Sequence, residues 1–399
     1  MTSGEPISVL HNRAAGFSAG GTANRNPFAF HQRLPGYAPT PLIDVTSLAD
    51  RLGLGRVLVK CESNRFDLPS FKILGTSWAA YQALVDRLGG EPAPWNTLEE
   101  LADRFRGLRP LTFAAATDGN HGRAVACVAR WFGFDAKILV PSGTAVARIE
   151  AIESEGADVA VIDGSYDDAV AKAADEAGDR CLVISDTSWP GYERIPRWVI
   201  EGYSTIFWEI EDVLSETGQP GADALVVPIG VGALASSAAL WARSTALNIP
   251  VLAGVEPAEV PCMTRSVEAG YRLTIEGPHR TIMSGLRCGT PSMTAFPIVA
   301  GAFEWFVLVA DDQAVSAMRE LAEAGIVSGE TGASALAGLT ELLAHPGAER
   351  FRQEMEPIDV ATVIVLSTEG DTDPESYLRL VGRSPDEVRV DPSGAATNA

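Results

Sequence analysis

An alternation of short apolar runs with helix-length segments, from Leu111 onward, constrains this chain more than any other feature. LTFAAA (111–116), AKILV (136–140), DVAVID (158–163) and RCLVISD (180–186) read as buried strands. RAVACVARWF (123–132) and TAVARIEAIESEG (144–156) between them read as helices. Strands this apolar, joined by segments long enough to cross over, imply a parallel sheet covered on both faces. A second series starts at LVVPIG (225–230), passes through PVLAGVEP (250–257) and WFVLVADD (305–312), and ends at ATVIVLST (361–368). The expectation is an α/β chain with two lobes, each built on a mostly parallel sheet. Pro/Gly punctuation at 89–98 and at TGQPGA (217–222) divides it into 1–88 and 220–399 for a large domain and 89–219 for a small one. The first forty residues read as an irregular arm, and the tail after Asp391 as frayed.

Composition narrows the partners. The 399 residues are 46% hydrophobic, enough for more than one core, and 52 acids against 31 bases leave a net charge of −21. Such a charge repels phosphate backbones, so nucleic acid is not expected. Five cysteines without a CxxC pair form neither a disulfide framework nor a zinc site, which makes a reducing cytoplasm the expected compartment. Glu5 and Pro6 interrupt any leader peptide. Ala224–Ala242 carries no charge, but Pro228, Gly230 and Gly232 divide it into strand, turn and helix, so no membrane span is expected.

Chemistry can sit at few places. Only four lysines occur: Lys60 and Lys137 at strand positions, Lys172 on a polar helix, and Lys72 just after Phe71 at a helix start. An amine facing helix amides and an aromatic ring is expected to have a lowered pKa, as imine formation with a carbonyl cofactor requires. Thr117-Asp118-Gly119-Asn120-His121-Gly122 follows a strand and opens a helix, a setting that binds anions in α/β proteins; Asp118 or Asn120 could equally be an N-cap. Gly230-Val231-Gly232-Ala233-Leu234-Ala235 is a second strand–turn–helix junction suited to a phosphate. With Glu256 ending the next strand it also satisfies a nicotinamide-dinucleotide pattern, which keeps a dehydrogenase as a rival. In Leu366–Asp373, Ser367 can offer a hydroxyl to a heterocycle nitrogen, while the acids at 369, 371 and 373 suit either a cation or a solvated turn. The five histidines show no metal-ligand spacing.

Taken in order, FKILGTS, TDGNHG, GVGAL, SGETGA and LSTEGDTD resemble the fold-type II pyridoxal phosphate enzymes, relatives of threonine dehydratase and tryptophan synthase β. Asp118, DTSWPGYERIPRWVIEGY (186–203) and STEGDTDP (367–374) are similar to the diaminopropionate ammonia-lyase family in particular. The resemblance spans Asn64 to Pro374. It implies two lobes with the site in the cleft between them, and pyridoxal 5'-phosphate held as an imine on Lys72. It further implies Phe71 beside the ring, Asn120 on the phenolic oxygen, Gly230, Val231, Gly232, Ala233 and Leu234 around the phosphate, and Ser367 at the pyridine nitrogen, with Gly329–Gly332 behind. Lys72 and Asp118 become bases on opposite faces of the substrate, and Asp186 a second acid suited to a β-ammonium group. The implied reaction is β-elimination from D- and L-2,3-diaminopropionate by a homodimer. The nearest alternative is a serine/threonine dehydratase or β-replacement enzyme on the same fold. Those dehydratases generally carry a small residue where this chain has Asp118, which argues against them. Cys262 and Cys288 fall near the expected pocket mouth as a buried, reduced pair, with redox pairing the second reading.

Overall fold

Two sheets organise the chain in the computed structural model, which describes residues 8–16, 21–117, 119–164 and 166–390. The larger sheet holds β1 (Val9–His11), β2 (Leu42–Asp44), β3 (Arg56–Cys61), β8 (Ala224–Pro228), β9 (Val251–Pro257), β10 (Trp305–Val309) and β11 (Thr362–Ser367) in the order β1-β10-β9-β8-β11-β3-β2. The smaller sheet, in the order β6-β5-β4-β7, holds β4 (Thr112–Ala116), β5 (Asp135–Pro141), β6 (Asp158–Ile162) and β7 (Cys181–Val183). All pairings in the smaller sheet are parallel, and in the larger one only the edge strands β1 and β2 run antiparallel. The expected α/β architecture is therefore present; every strand of the two apolar series begins within a residue of its expected start, and the expected runs overshoot most at the carboxyl ends of β7, which stops at Val183, and β10, which stops at Val309.

The first forty residues differ from an irregular arm. Val9 pairs with Val307 in β1, and a helix over Asn26–His31, with Pro27 in its first turn, buries Phe28, Phe30 and His31. A strand of three residues is too short to display alternation, and its pairing depends on a partner almost 300 positions away. The tail from Asp391 lies outside the described residues.

Each face of the larger sheet is covered by helices, as a buried parallel sheet requires. The Glu330–Ala344 helix packs across β8 to β11 on one face, while Ala233–Ala242 and Arg194–Glu216 cover the other. The Lys72–Leu88 helix packs along Arg194–Glu216 at the closest approach glycine allows: a Cβ on Gly202 would stand 2.5 Å from the Leu74 carbonyl, and one on Gly75 2.5 Å from the Tyr203 ring. That contact aims the start of the Lys72–Leu88 helix at the space between the sheets.

A wholly buried group of charges holds the same region. Lys60 Nζ donates to Glu209 Oε2 at 2.6 Å, Arg65 Nη1 to Glu209 Oε1 at 2.6 Å and Arg65 Nη2 to Glu62 Oε1 at 2.7 Å. None of the four residues is more than 2% exposed. Two cations balance two carboxylates, and although burial alone would raise Glu209, Arg65 and Lys60 hold it below the usual carboxylate range. The group locks the end of β3, and the loop leading to Lys72, onto the Arg194–Glu216 helix.

No helix among the described residues is long and apolar enough to cross a membrane, and Ala224–Ala242 is β8, a turn and the Ala233–Ala242 helix.

Candidate active site

Parallel strands place their carboxyl ends on one edge of a sheet, where α/β proteins build sites. Here the edges of both sheets face one pocket. Thr117 and Gly119 to His121 follow β4, Asp186 follows β7, Gly230 to Leu234 follow β8, and Thr368 and Glu369 follow β11. Phe71 and Lys72 enter from the start of the Lys72–Leu88 helix. Of the residues expected at the site, the pocket thus gathers Phe71, Lys72, Asn120, Asp186 and all five from Gly230 to Leu234. Asp118 lies outside the described residues.

Lys72 Nζ donates to Asp186 Oδ2 at 2.7 Å, 5.2 Å from the centre of the Phe71 ring. Burial alone would lower the amine, but the Asp186 carboxylate overrides it and holds Lys72 above its ordinary value. This corrects the expectation of a lowered pKa, which considered only the helix start and the adjacent ring and not an acid 114 positions away. The same pairing, with His121 close by, holds Asp186 at about 2 against a burial effect that would raise it. His121 is buried with Nε2 on the Ile184 carbonyl at 2.8 Å, and burial lowers it.

The turn after β4 does not use Asn120 as an N-cap. Thr117 Oγ1 accepts from the backbone N–H of Gly119 at 2.9 Å and of Gly122 at 3.0 Å, which leaves the Asn120 amide to reach Glu369 across the pocket. The other expected phosphate junction opens the Ala233–Ala242 helix, and its backbone turns through Gly232 at φ 100°. A Cβ there would stand 2.6 Å from Met263 Cε. Gly232→Ala therefore combines a left-handed strain of about 1–3 kcal/mol with a collision. We expect a lower melting temperature and poor retention, through gel filtration, of the phosphate-bearing cofactor that the resemblance implies. An alanine variant that keeps the cofactor as wild type does would overturn this reading of the turn.

Ser367 is not in the pocket wall. It is 1% exposed and its hydroxyl donates to Ser328 Oγ at 2.8 Å, while the next residue, Thr368, lines the pocket with a buried Oγ1 that has no partner among the described residues. The strand alternates its side chains, so a shift of one position exchanges wall for interior. The acids of the same segment also have assigned partners: Glu369 accepts from Thr331 N at 3.1 Å, Asp371 pairs with Arg389, and Asp373 caps the Pro374–Val381 helix through Ser376 N at 3.0 Å. No acid or histidine cluster among the described residues could hold a metal.

Glu256, the acid of the dinucleotide pattern, is 1% exposed, and its carboxylate accepts from the backbone N–H of Met263 at 2.8 Å and of Thr264 at 2.6 Å. It caps the Cys262–Ala269 helix, and a ribose has no access to it. Cys262 and Cys288 are both buried thiols, the latter in the pocket wall. Arg148 was not expected at the site. From the Val146–Glu153 helix it reaches Ser284 Oγ and, at 3.3 Å, Thr372 Oγ1 on the far side. Nothing in its local sequence separates it from the other arginines on polar helix faces.

Residues 33–356 match the family described as pyridoxal-phosphate dependent enzyme. The diaminopropionate ammonia-lyase of Salmonella typhimurium is 36% identical over 381 residues, covering 91% of this chain and 93% of that protein. The chain belongs to the diaminopropionate ammonia-lyases, within the pyridoxal-phosphate dependent enzymes. The crystal structure of the Escherichia coli family member in complex with D-serine superposes with a TM-score of 0.83 at 32% identity, covering 94% of this chain and 96% of that one. Its complex with an aminoacrylate–pyridoxal phosphate azomethine reaction intermediate superposes at 0.79, also at 32% identity, with coverage of 94% and 96%.

Pyridoxal phosphate is the cofactor of this family, and the residues present fit it. The glycine turn leaves backbone where side chains would fill the space, since a Cβ on Gly230 would meet the Gly285 carbonyl at 3.0 Å. The unpartnered Thr368 hydroxyl suits a ring nitrogen, and Lys72 supplies an amine in the same wall.

Proposed function

We propose that the protein eliminates ammonia from D- and L-2,3-diaminopropionate, giving pyruvate and a second ammonia after hydrolysis. The observation that carries this reading is the Lys72–Asp186 pair, which shares one pocket with the Gly230–Leu234 turn in a chain belonging to this family. Lys72 would hold the cofactor, Gly230 to Leu234 would receive its phosphate, Phe71 would pack beside its ring, Asn120 would meet its phenolic oxygen, and Thr368 rather than Ser367 would meet its pyridine nitrogen. When bound, pyridoxal phosphate withdraws electrons from the substrate's Cα.

Lys72 takes the Cα proton from one face and Asp118 from the other, which admits both stereoisomers. Asp186, ionised beside Lys72, then faces a substrate whose leaving group is a cation. A carboxylate there holds the β-ammonium in its charged form, the form that departs as neutral ammonia. The unsaturated amine released takes up water to yield pyruvate. The two lobes, divided near 89 and 219, enclose the substrate and exclude water. The homodimer is carried over from the family resemblance, and the cytoplasmic location from a composition that suits a reducing compartment.

Pyruvate release from D- and L-diaminopropionate, serine and threonine, measured side by side, tests the substrate. Faster turnover of serine or threonine would transfer the protein to the dehydratases. Asp118→Asn should lose D-isomer activity by about 10²-fold or more while the L-isomer falls far less. Equal losses on both isomers would remove Asp118 from its assigned face.

A further inference from the structure

The pocket wall contains a carboxylate to which the reaction gives no role. Glu369 is 2% exposed; its Oε1 accepts from the backbone N–H of Thr331, and its Oε2 accepts from Asn120 Nδ2. Its main chain is tied to the segment that presents Lys72: Glu369 bridges to Ser70, and the N–H of Gly370 donates to the Pro69 carbonyl at 2.9 Å. Gly329 leaves the side chain little room, since a Cβ there would stand 3.1 Å from Glu369 Cγ. Asn120, by contrast, belongs to the other sheet's edge, 249 positions away.

An asparagine amide has two ends of nearly the same shape and opposite polarity, so its neighbours decide which end points where. A carboxylate only accepts, and it holds the NH2 end of Asn120 toward itself. Packing alone would be served by glutamine without burying a charge near a second acid, Glu330, which is 6% exposed. We propose that Glu369 is a positioning residue that fixes the Asn120 amide so that an N–H, and not the carbonyl, is offered to the cofactor's phenolic oxygen. This inference rests on the reading that Asn120 meets that oxygen.

Glu369→Gln tests it, because the Thr331 N–H still demands an oxygen. The glutamine carbonyl takes that place, its NH2 then faces Asn120, and Asn120 must turn its own carbonyl toward the variant side chain. In purified holoenzyme at one fixed pH, we expect part of the visible band to move to shorter wavelength, as the phenolate loses its donor. Cofactor affinity should fall about fivefold to tenfold, the worth of one hydrogen bond. The double variant Asn120→Asp/Glu369→Gln keeps the pair complementary, the introduced carboxylate accepting from the glutamine NH2, without offering any donor to the phenolate, so it should melt no lower than the single variant while its spectrum stays altered. It also carries the test if the single variant does not fold. A wild-type spectrum and cofactor affinity in Glu369→Gln, or a wild-type spectrum in the double variant, would overturn the proposal. If instead the unmodified protein shows no visible band that borohydride bleaches, the cofactor reading of Asn120 fails first.

Discussion

Lys72→Ala is expected to lower pyruvate formation from diaminopropionate by about 10³-fold or more, since it removes the residue proposed as both the attachment point and one base. The visible band of the purified protein and the borohydride-stable adduct should disappear with it. The substitution also leaves Asp186 without its nearest cation, so loss of activity alone would not separate chemistry from misfolding. Lys72→Arg makes that separation. A guanidinium still pairs with Asp186 but forms no imine under these conditions, so this variant should melt close to wild type and be equally inactive. Turnover within tenfold of wild type in either variant would remove Lys72 from the reaction.

Glu209→Ala should be the most destabilising single change in the buried charge group, at about 3–5 kcal/mol, because it leaves two cations without their shared partner in a site closed to water. The cost should appear as a lower denaturant midpoint at unchanged slope. Lys60 and Arg65 both bond to Glu209, so the losses from Lys60→Ala and Glu209→Ala should not add. A Glu209→Ala midpoint indistinguishable from wild type would mean that the group contributes nothing to holding β3 and the loop before Lys72 in place. Partial activity loss is also expected, since that loop leads into the pocket.

Much of this architecture was legible in the sequence for a simple reason. Parallel strands buried on both faces must be continuously apolar, and their crossovers must be long, so both series could be read without knowing which strands pair. The glycine junction at Gly230–Leu234 was legible because it combines a strand end, a turn that needs φ above zero and a helix start within a few residues. The three-residue β1 lacked such a local mark, as did the role of Arg148, whose contacts lie more than 130 positions away. Ser367 shows a finer limit: the segment was recognised, but which of two adjacent hydroxyls faces the pocket depends on the register of β11 against β3 and β8.

By itself, the chain's order of residues determined the alternating α/β plan, the family motifs and the scarce amine, because each depends on chemistry within a few consecutive positions. Only the tertiary structure decided that Lys72 meets Asp186, that Asn120 meets Glu369 and not its own helix end, and that Glu256 is spent on capping a helix. These are pairings between distant charges and amides. Their energies depend on separation in space and on burial, and neither quantity is set until the two sheets have come together.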